Sequence, residues 1–330
     1  MKSWCAMLGL MMALVASGCE QQSHARVSVD GSSTVFPITE AIAEEFRGRT
    51  DARVTIGVSG TGGGFKKFCR GETAIIGASR PIRPVESKRC EETGVEYIEL
   101  PVAYDGIVIV VHPSNDWVQS LTPEELGSLW RPEAQGKVTQ WNDMRDDWPA
   151  RPINLYGAGI DSGTYDYFTK AVVGREHASR GDFTSSEDDN VLVQGVANDQ
   201  NALGFFGFAY YAENAQRLKA VPIDDGDPKN GQGPIAPSTK TIGNGSYQPL
   251  SRPLFLYVRK AAARREPVQT FLRFYLSNAG TLSREVGYVA LPKRAYDLVE
   301  QRFEARTTGS VFDAHGAQVG VSVEELLAAE

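Results

Sequence analysis

Three short segments carry residue types suited to holding a ligand: Asp30-Gly31-Ser32-Ser33-Thr34-Val35, Ser59-Gly60-Thr61-Gly62-Gly63-Gly64 and Gly159-Ile160-Asp161-Ser162-Gly163-Thr164. Each follows a β-rich run and leads into a helical pattern, at Phe36, Phe65 and Tyr165. The first turn of a helix exposes N–H groups with no intrahelical acceptor and carries a partial positive charge. Several such turns aimed at one point hold an anion without any net positive charge. Glycine lets the backbone approach the ligand, and hydroxyls add donors. One such segment alone would be an ordinary capped helix start, because Ser and Thr are the usual N-caps. Three in one chain point to a shared ligand. It is a small one: the second segment has Phe65 before Lys66-Lys67 where a nucleotide-binding loop requires Gly.

Composition narrows the chemistry further. The 330 residues include 34 Lys and Arg against 41 Asp and Glu, a net charge of −7, and no basic block that could neutralise a run of phosphates, so nucleic acid is not an expected partner. The four His and four Cys form no CxxC, HExxH or other cluster at ligand spacing, so neither a metal nor another cofactor is expected. Ser33 and Ser162 have no recognisable base beside them, and no Gly-x-Ser-x-Gly elbow is present. Binding is therefore expected rather than catalysis, with an exported phosphatase as the weaker alternative.

The elements that must position these segments alternate in type. β-rich runs at 26–30, 53–57 and 74–77 are interleaved with helical patterns at 36–47 and 65–70, as in a parallel sheet covered by helices. Apolar runs at 97–100 and 103–111 add strands. A second α/β region follows, with helical patterns near 122–126 and 186–198 and strands at 153–156, 204–208 and 218–221. Residues 224–246 read as a loop rich in Gly, Pro, Asn and Asp. The chain then returns through an apolar strand at 253–258 and helices at 267–276 and 292–303, and one further helix fits 323–329. This pattern predicts two lobes, the first from 26–104 and 253–330 and the second from 105–252, with crossings near Asp105 and near Ser251-Arg252.

The N-terminus reads as an address. One positive charge and a short apolar run end in Ala16-Ser17-Gly18-Cys19, which resembles the lipobox of bacterial lipoproteins, with Ala16 where Leu is usual. Cleavage would remove residues 1–18, put lipid on Cys19 and leave 19–25 as a tether to the membrane. Cys69 and Cys90 then remain as an even pair in an oxidising compartment, periplasmic or at the cell surface, and are expected to form a disulfide.

The chain resembles the phosphate-binding proteins that serve the Pst phosphate ABC transporter, a branch of the two-lobed periplasmic-binding-protein superfamily (type II). The resemblance rests on Gly31-Ser32-Ser33-Thr34, Ser59-Gly60-Thr61-Gly62-Gly63, Gly77-Ala78-Ser79-Arg80, Leu100-Pro101-Val102-Ala103-Tyr104-Asp105-Gly106, Asp161-Ser162-Gly163-Thr164-Tyr165-Asp166-Tyr167-Phe168 and Tyr247-Gln248-Pro249-Leu250-Ser251-Arg252-Pro253. It implies inorganic phosphate as ligand, membrane permease subunits as partners, and a monomer. Another tetrahedral oxyanion, sulfate or molybdate, is the alternative ligand. By position it also implies phosphate contacts at Ser33, Thr34 and Val35, at Ser59 or Thr61, and at Ser162, Gly163 and Thr164. Many members have an Asp where this chain has Arg80 and an Arg where it has Ala158, so Arg80 is the expected cation. Asp161 is the expected acceptor of the phosphate proton, with Asp105 second.

Overall fold

The computed structural model describes residues 26–50, 52–312 and 323–329. The signal peptide at 1–18, the lipidation site Cys19 and the whole tether to residue 25 lie outside the described residues. The strands form one path in the order β2-β1-β3-β9-β4-β7-β5-β6, with β8 (Lys219–Val221) also on β4. On one side of this path lie β1 (Arg26–Gly31), β2 (Arg53–Ile56) and β3 (Ile75–Ala78), mutually parallel. On the other lie β5 (Asn154–Ala158), β6 (Thr184–Ser186) and β7 (Ala202–Gly207), also parallel. Between them run β4 (Tyr97–Val111) and β9 (Ser251–Arg259), antiparallel to each other and to their outer neighbours, so the sheet is mixed rather than purely parallel.

β4 is a single strand where the sequence suggests two. Its residues are almost all buried, as befits a strand covered on both faces. Pro101 has no N–H to give the ladder, and the register with β9 shifts between Pro101 and Ala103, which bends the strand without ending it. Through this strand the chain passes between two hydrophobic cores. The first gathers Val27, Ile38, Phe65, Ile98, Leu256 and Phe271. The second gathers Val108, Trp130, Phe168, Leu192 and Phe205. Trp130 stands edge-on to Phe168, Phe183 and Phe205, and Trp141 stands edge-on to Trp117 and Trp148, so the tryptophans are packing residues.

Two helices begin close to where the sequence places them. α1 (Phe36–Arg47) starts after Val35 with Pro37 in its first turn, and α5 (Gly163–Val173) starts after Ser162, whose side chain accepts from the Thr164 N–H. α2 differs: it runs from Gly60 to Cys69, so the glycines expected in a loop form its opening turns. Close approach explains them. A Cβ on Gly64 would stand 2.8 Å from the Gly31 Cα, and one on Gly60, at φ +72°, would stand 2.5 Å from the Asp161 carbonyl oxygen. A disulfide joins Cys69, at the end of α2, to Cys90 in α3 (Pro84–Glu92). The chain closes on the first core with α9 (Glu266–Glu285), α10 (Lys293–Ala305) and α11 (Val323–Ala328), which buries Val323 and Leu327 there.

Candidate functional site

The first and third segments share one local hydrogen bond, which caps α5 in the third and closes a turn just ahead of α1 in the first. Ser32 Oγ accepts the Thr34 N–H at 3.1 Å, and Ser162 Oγ accepts the Thr164 N–H at 3.1 Å. Each Ser-x-Thr thereby turns its threonine hydroxyl toward the other side of the molecule. The two hydroxyls, one beside each core, lie 3.3 Å apart and are buried. Ser33 and Val35 lie in the turn that leads into α1, and Gly163 in the first turn of α5, where N–H groups lack the carbonyl partners of a helix interior.

A guanidinium stands at this meeting point. Arg252 Nη2 donates to Thr164 Oγ1 at 2.8 Å, to Thr34 Oγ1 at 3.4 Å and to Asp105 Oδ2 at 2.9 Å. Arg252 and Asp105 are direct register partners on β9 and β4, so the two strands that cross between the cores bring the cation and its carboxylate together. Both side chains are 0% exposed, and Arg252 Nη1 is buried with no hydrogen-bond partner among the described residues. A buried donor on a charged group costs several kcal/mol if it stays unmatched, so an anion fits here better than an apolar group would. Burial pushes the Asp105 carboxyl up from its ordinary value, opposed by Arg252 and by the Phe208 N–H that Oδ1 accepts at 3.2 Å.

The second segment contributes through Thr61. Its Oγ1 is 3.2 Å from Ser79 Oγ and accepts the Ser79 N–H at 3.2 Å. This pair lies against the third segment: a Cβ on Gly163 would stand 2.6 Å from Thr61 Oγ1 and 2.5 Å from Ser79 Oγ. Thr34, Thr61, Ser162, Gly163 and Thr164 are thus brought together, with Ser33 and Val35 alongside.

Three of the expected residues face elsewhere. Ser59 Oγ donates to Asp30 Oδ1 at 2.8 Å, so its hydroxyl serves the end of β1. Asp161 is 42% exposed and pairs with Lys66, itself 50% exposed, at 2.8 Å, so its carboxylate belongs to the surface and not to a dry site. Its carbonyl oxygen does join the two sides, accepting the Gly62 N–H at 2.9 Å.

Arg80 is buried but already matched. Nη1 and Nη2 reach the two Glu86 oxygens at 2.8 Å each, Nη1 also reaches the Pro81 carbonyl at 3.0 Å, and Nε reaches Asp166 Oδ2 at 2.5 Å. Burial pushes the Glu86 carboxyl up, but Arg80 and then Arg83 hold it below its ordinary value. Asp166 lies on α5, on the far side from Arg80 and Glu86, and the His177 ring lies against both Asp166 and Arg83. Arg80 therefore clamps the two sides together, and the cation at the hydroxyls is Arg252.

Sequence reasoning placed Arg252 at a crossing and gave it no ligand role. Its signal was available: it stands between Leu250-Ser251 and the apolar run Pro253-Leu254-Phe255-Leu256, and a charge that begins a buried strand needs partners. Ser79, beside Arg80, had no signal of its own. Among the described residues no group of His, Cys, Asp or Glu could hold a metal ion.

Two α/β lobes joined by crossing strands, with helix starts from each lobe meeting over a buried guanidinium, define a solute-binding protein of the type II periplasmic fold. The chain belongs to the PBP superfamily, whose domain model matches residues 18–279. It is 50% identical over 308 residues to Protein SphX of Synechococcus elongatus, covering 93% of this chain and 89% of that one. It is 38% identical over 287 residues to the phosphate-binding protein PstS of Staphylococcus saprophyticus, covering 86% of each. A putative phosphate ABC transporter substrate-binding protein with bound phosphate from Clostridium perfringens has a similar structure, with a TM-score of 0.67 at 25% identity, over 81% of this chain and 100% of that one.

Proposed function

We propose that this chain captures inorganic phosphate between its lobes and presents it to the permease of an ABC transporter, working by binding and release rather than by turnover. The carrying observation is the meeting of Thr34 and Thr164 hydroxyls from opposite lobes beside Arg252, whose Nη1 has no partner among the described residues. A phosphate there would accept from Arg252 Nη1, from the hydroxyls of Thr34, Thr61, Ser79 and Thr164, and from backbone N–H groups at Ser33, Val35 and Gly163, just before α1 and at the start of α5. Charge-assisted bonds in a dry cleft are the strong ones, and a micromolar dissociation constant needs only about −8 kcal/mol in total. The lobes divide near Asp105 and Arg252, so a ligand that touches both sides favours the closed form. Cys19 carries the lipid that keeps the exported protein at the membrane, and residues 19–25 are the lipidated tether.

The names of relatives such as PstS support the choice of phosphate. Calorimetric titration of the mature protein without its lipid, unfolded and refolded to strip carried ligand, tests it. We expect one phosphate per chain, bound far more tightly than sulfate or molybdate. Folded protein that binds no phosphate, or that prefers another oxyanion, overturns the reading.

A further inference from the structure

α9 and α10 both pack on the first core, yet the segment between them reaches across to the second lobe. It begins at Gly287, whose φ of +83° turns the chain out of α9. A Cβ on Gly287 would stand 3.7 Å from Ala209, in α7 (Phe208–Glu213). Tyr288 is buried, and its hydroxyl faces Asp105 and Arg252. Val289 packs on the second core, and a Cβ on Gly243, which ends α8 (Thr239–Gly243), would stand 2.9 Å from Val289 Cγ1. Leu291 is back in the first core. Residues 287–291 thus form a tongue, a third line of contact between the lobes beside β4 and β9.

Two sets of hydrogen bonds fasten this tongue to β4. Tyr104 and Val289 exchange both backbone bonds, at 2.7 and 3.1 Å. The Tyr104 ring packs against both cores, so this pairing lies where the chain passes from one lobe to the other. The second set runs through Tyr296 on α10. Its hydroxyl donates to the Val102 carbonyl at 2.8 Å and accepts the Leu291 N–H at 3.3 Å. Val102 is the residue passed over where the register of β4 with β9 shifts, and a bulge residue's carbonyl needs a donor from outside the ladder. One hydroxyl therefore ties the bulge, just ahead of Tyr104 and Asp105, to the end of the tongue. The Tyr296 ring is itself wedged against α9, where a Cβ on Gly280 would stand 3.1 Å from it. Neither the tongue nor α10 lies within residues 18–279, which the superfamily's domain model matches.

Opening the cleft turns the second lobe away from the first about β4 and β9. The tongue opposes that turn, because its apolar contacts are to the second lobe while Tyr296 anchors its end on the first. We infer that the 287–291 tongue, locked by Tyr296, is a brace that holds the cleft closed and sets how fast a captured ligand leaves. The inference rests on the reading of this chain as a two-lobed binder of phosphate. Tyr296 is a positioning residue: its hydroxyl is taken by Val102 and Leu291, and it acts on the ligand only through β4 and the tongue. A brace of this kind shifts the balance between open and closed forms, so it changes the affinity for every oxyanion by one common factor.

Tyr296→Phe, Val289→Ala and the double variant test the brace against wild type, all as mature chains stripped of carried ligand. Stopped-flow kinetics gives the phosphate dissociation rate, calorimetry the phosphate and sulfate affinities, and solution X-ray scattering the radius of gyration without ligand. Tyr296→Phe keeps the ring and leaves a buried carbonyl and N–H without their partner, so phosphate should leave about fivefold faster. Val289→Ala trims the contact with the second lobe and should speed release about threefold. Because both act through one tongue, the double variant should release about fivefold faster, short of the roughly fifteenfold of independent effects. The ratio of phosphate to sulfate affinity should hold in all three, and the ligand-free variants should scatter as more open molecules than wild type. Unchanged release in Tyr296→Phe, even with a lowered melting temperature, overturns the brace, as do fully multiplicative effects, a shifted affinity ratio or unchanged scattering. Should Tyr296→Phe not fold, unchanged release in Val289→Ala overturns it. Wild type that binds no phosphate overturns the reading beneath it instead.

Discussion

Two arginines, each wholly buried and each at the boundary between the lobes, have opposite surroundings. Arg80 meets two carboxylates, Glu86 and Asp166, with every guanidinium nitrogen engaged. Arg252 meets one carboxylate and two threonine hydroxyls, and one of its nitrogens has no partner among the described residues. A buried cation fully neutralised by its own chain is part of the framework, because a further anion would gain nothing from it and would face two carboxylates. A buried guanidinium with one donor still open can serve an acceptor from outside the chain, such as an oxyanion. Sequence alone cannot separate these cases, since both residues read as an Arg near the end or start of a strand. The number of carboxylates around each one separates them.

The strongest way to break this contrast is Arg252→Gln. It should weaken phosphate binding at least about a thousandfold, roughly 4 kcal/mol, because a buried, hydrogen-bonded charge is lost and Asp105 is left unpaired. Arg252→Lys should recover only part of that, since a lysine cannot reproduce the planar fork. Calorimetry measures both, with circular dichroism as the check on folding.

Cys69→Ala with Cys90→Ala should cost roughly 3 kcal/mol of unfolding free energy in denaturant, the chain-entropy estimate for a loop of this length. Phosphate affinity should stay within about twofold, because neither cysteine touches the cradle.

Asp166→Asn sharpens the other side of the comparison. It removes the carboxylate that Arg80 reaches across the lobes and leaves Glu86 in place, so closure weakens while the cradle stays intact. Phosphate and sulfate should both bind about thirtyfold more weakly, with their ratio unchanged. A changed ratio would mean that Arg80 touches the ligand.

Lys66→Ala should do least. The Lys66–Asp161 pair bridges the lobes at the surface and is worth under about 1 kcal/mol, so affinity should change less than about threefold.

Much of this site was legible in the residues, and its limits have a physical reason. Ser162-x-Thr164 announces a helix start locally, and Ser32-x-Thr34 a turn just ahead of one, because such hydrogen bonds join residues two or three positions apart. Strand–helix alternation likewise gave the two α/β regions and the apolar crossing through β4. The glycines of α2 misled, because their reason is a close approach to Gly31 and Asp161, which are distant in sequence. The roles of Arg80, Arg252 and Asp161 were hidden for the same cause: Arg80 finds Asp166 86 positions away, and Arg252 finds Asp105 147 positions away. Spacing along the chain does not encode which carboxylate a cation will meet.

A crystal structure of the phosphate-bound protein tests the central claim most directly. We expect a phosphate oxygen about 2.8 Å from Arg252 Nη1, as charge-assisted hydrogen bonds require, with Arg80 still held by Glu86 and Asp166. Phosphate bound at Arg80, with Asp166 or Glu86 displaced, or phosphate seated away from Arg252, would contradict it.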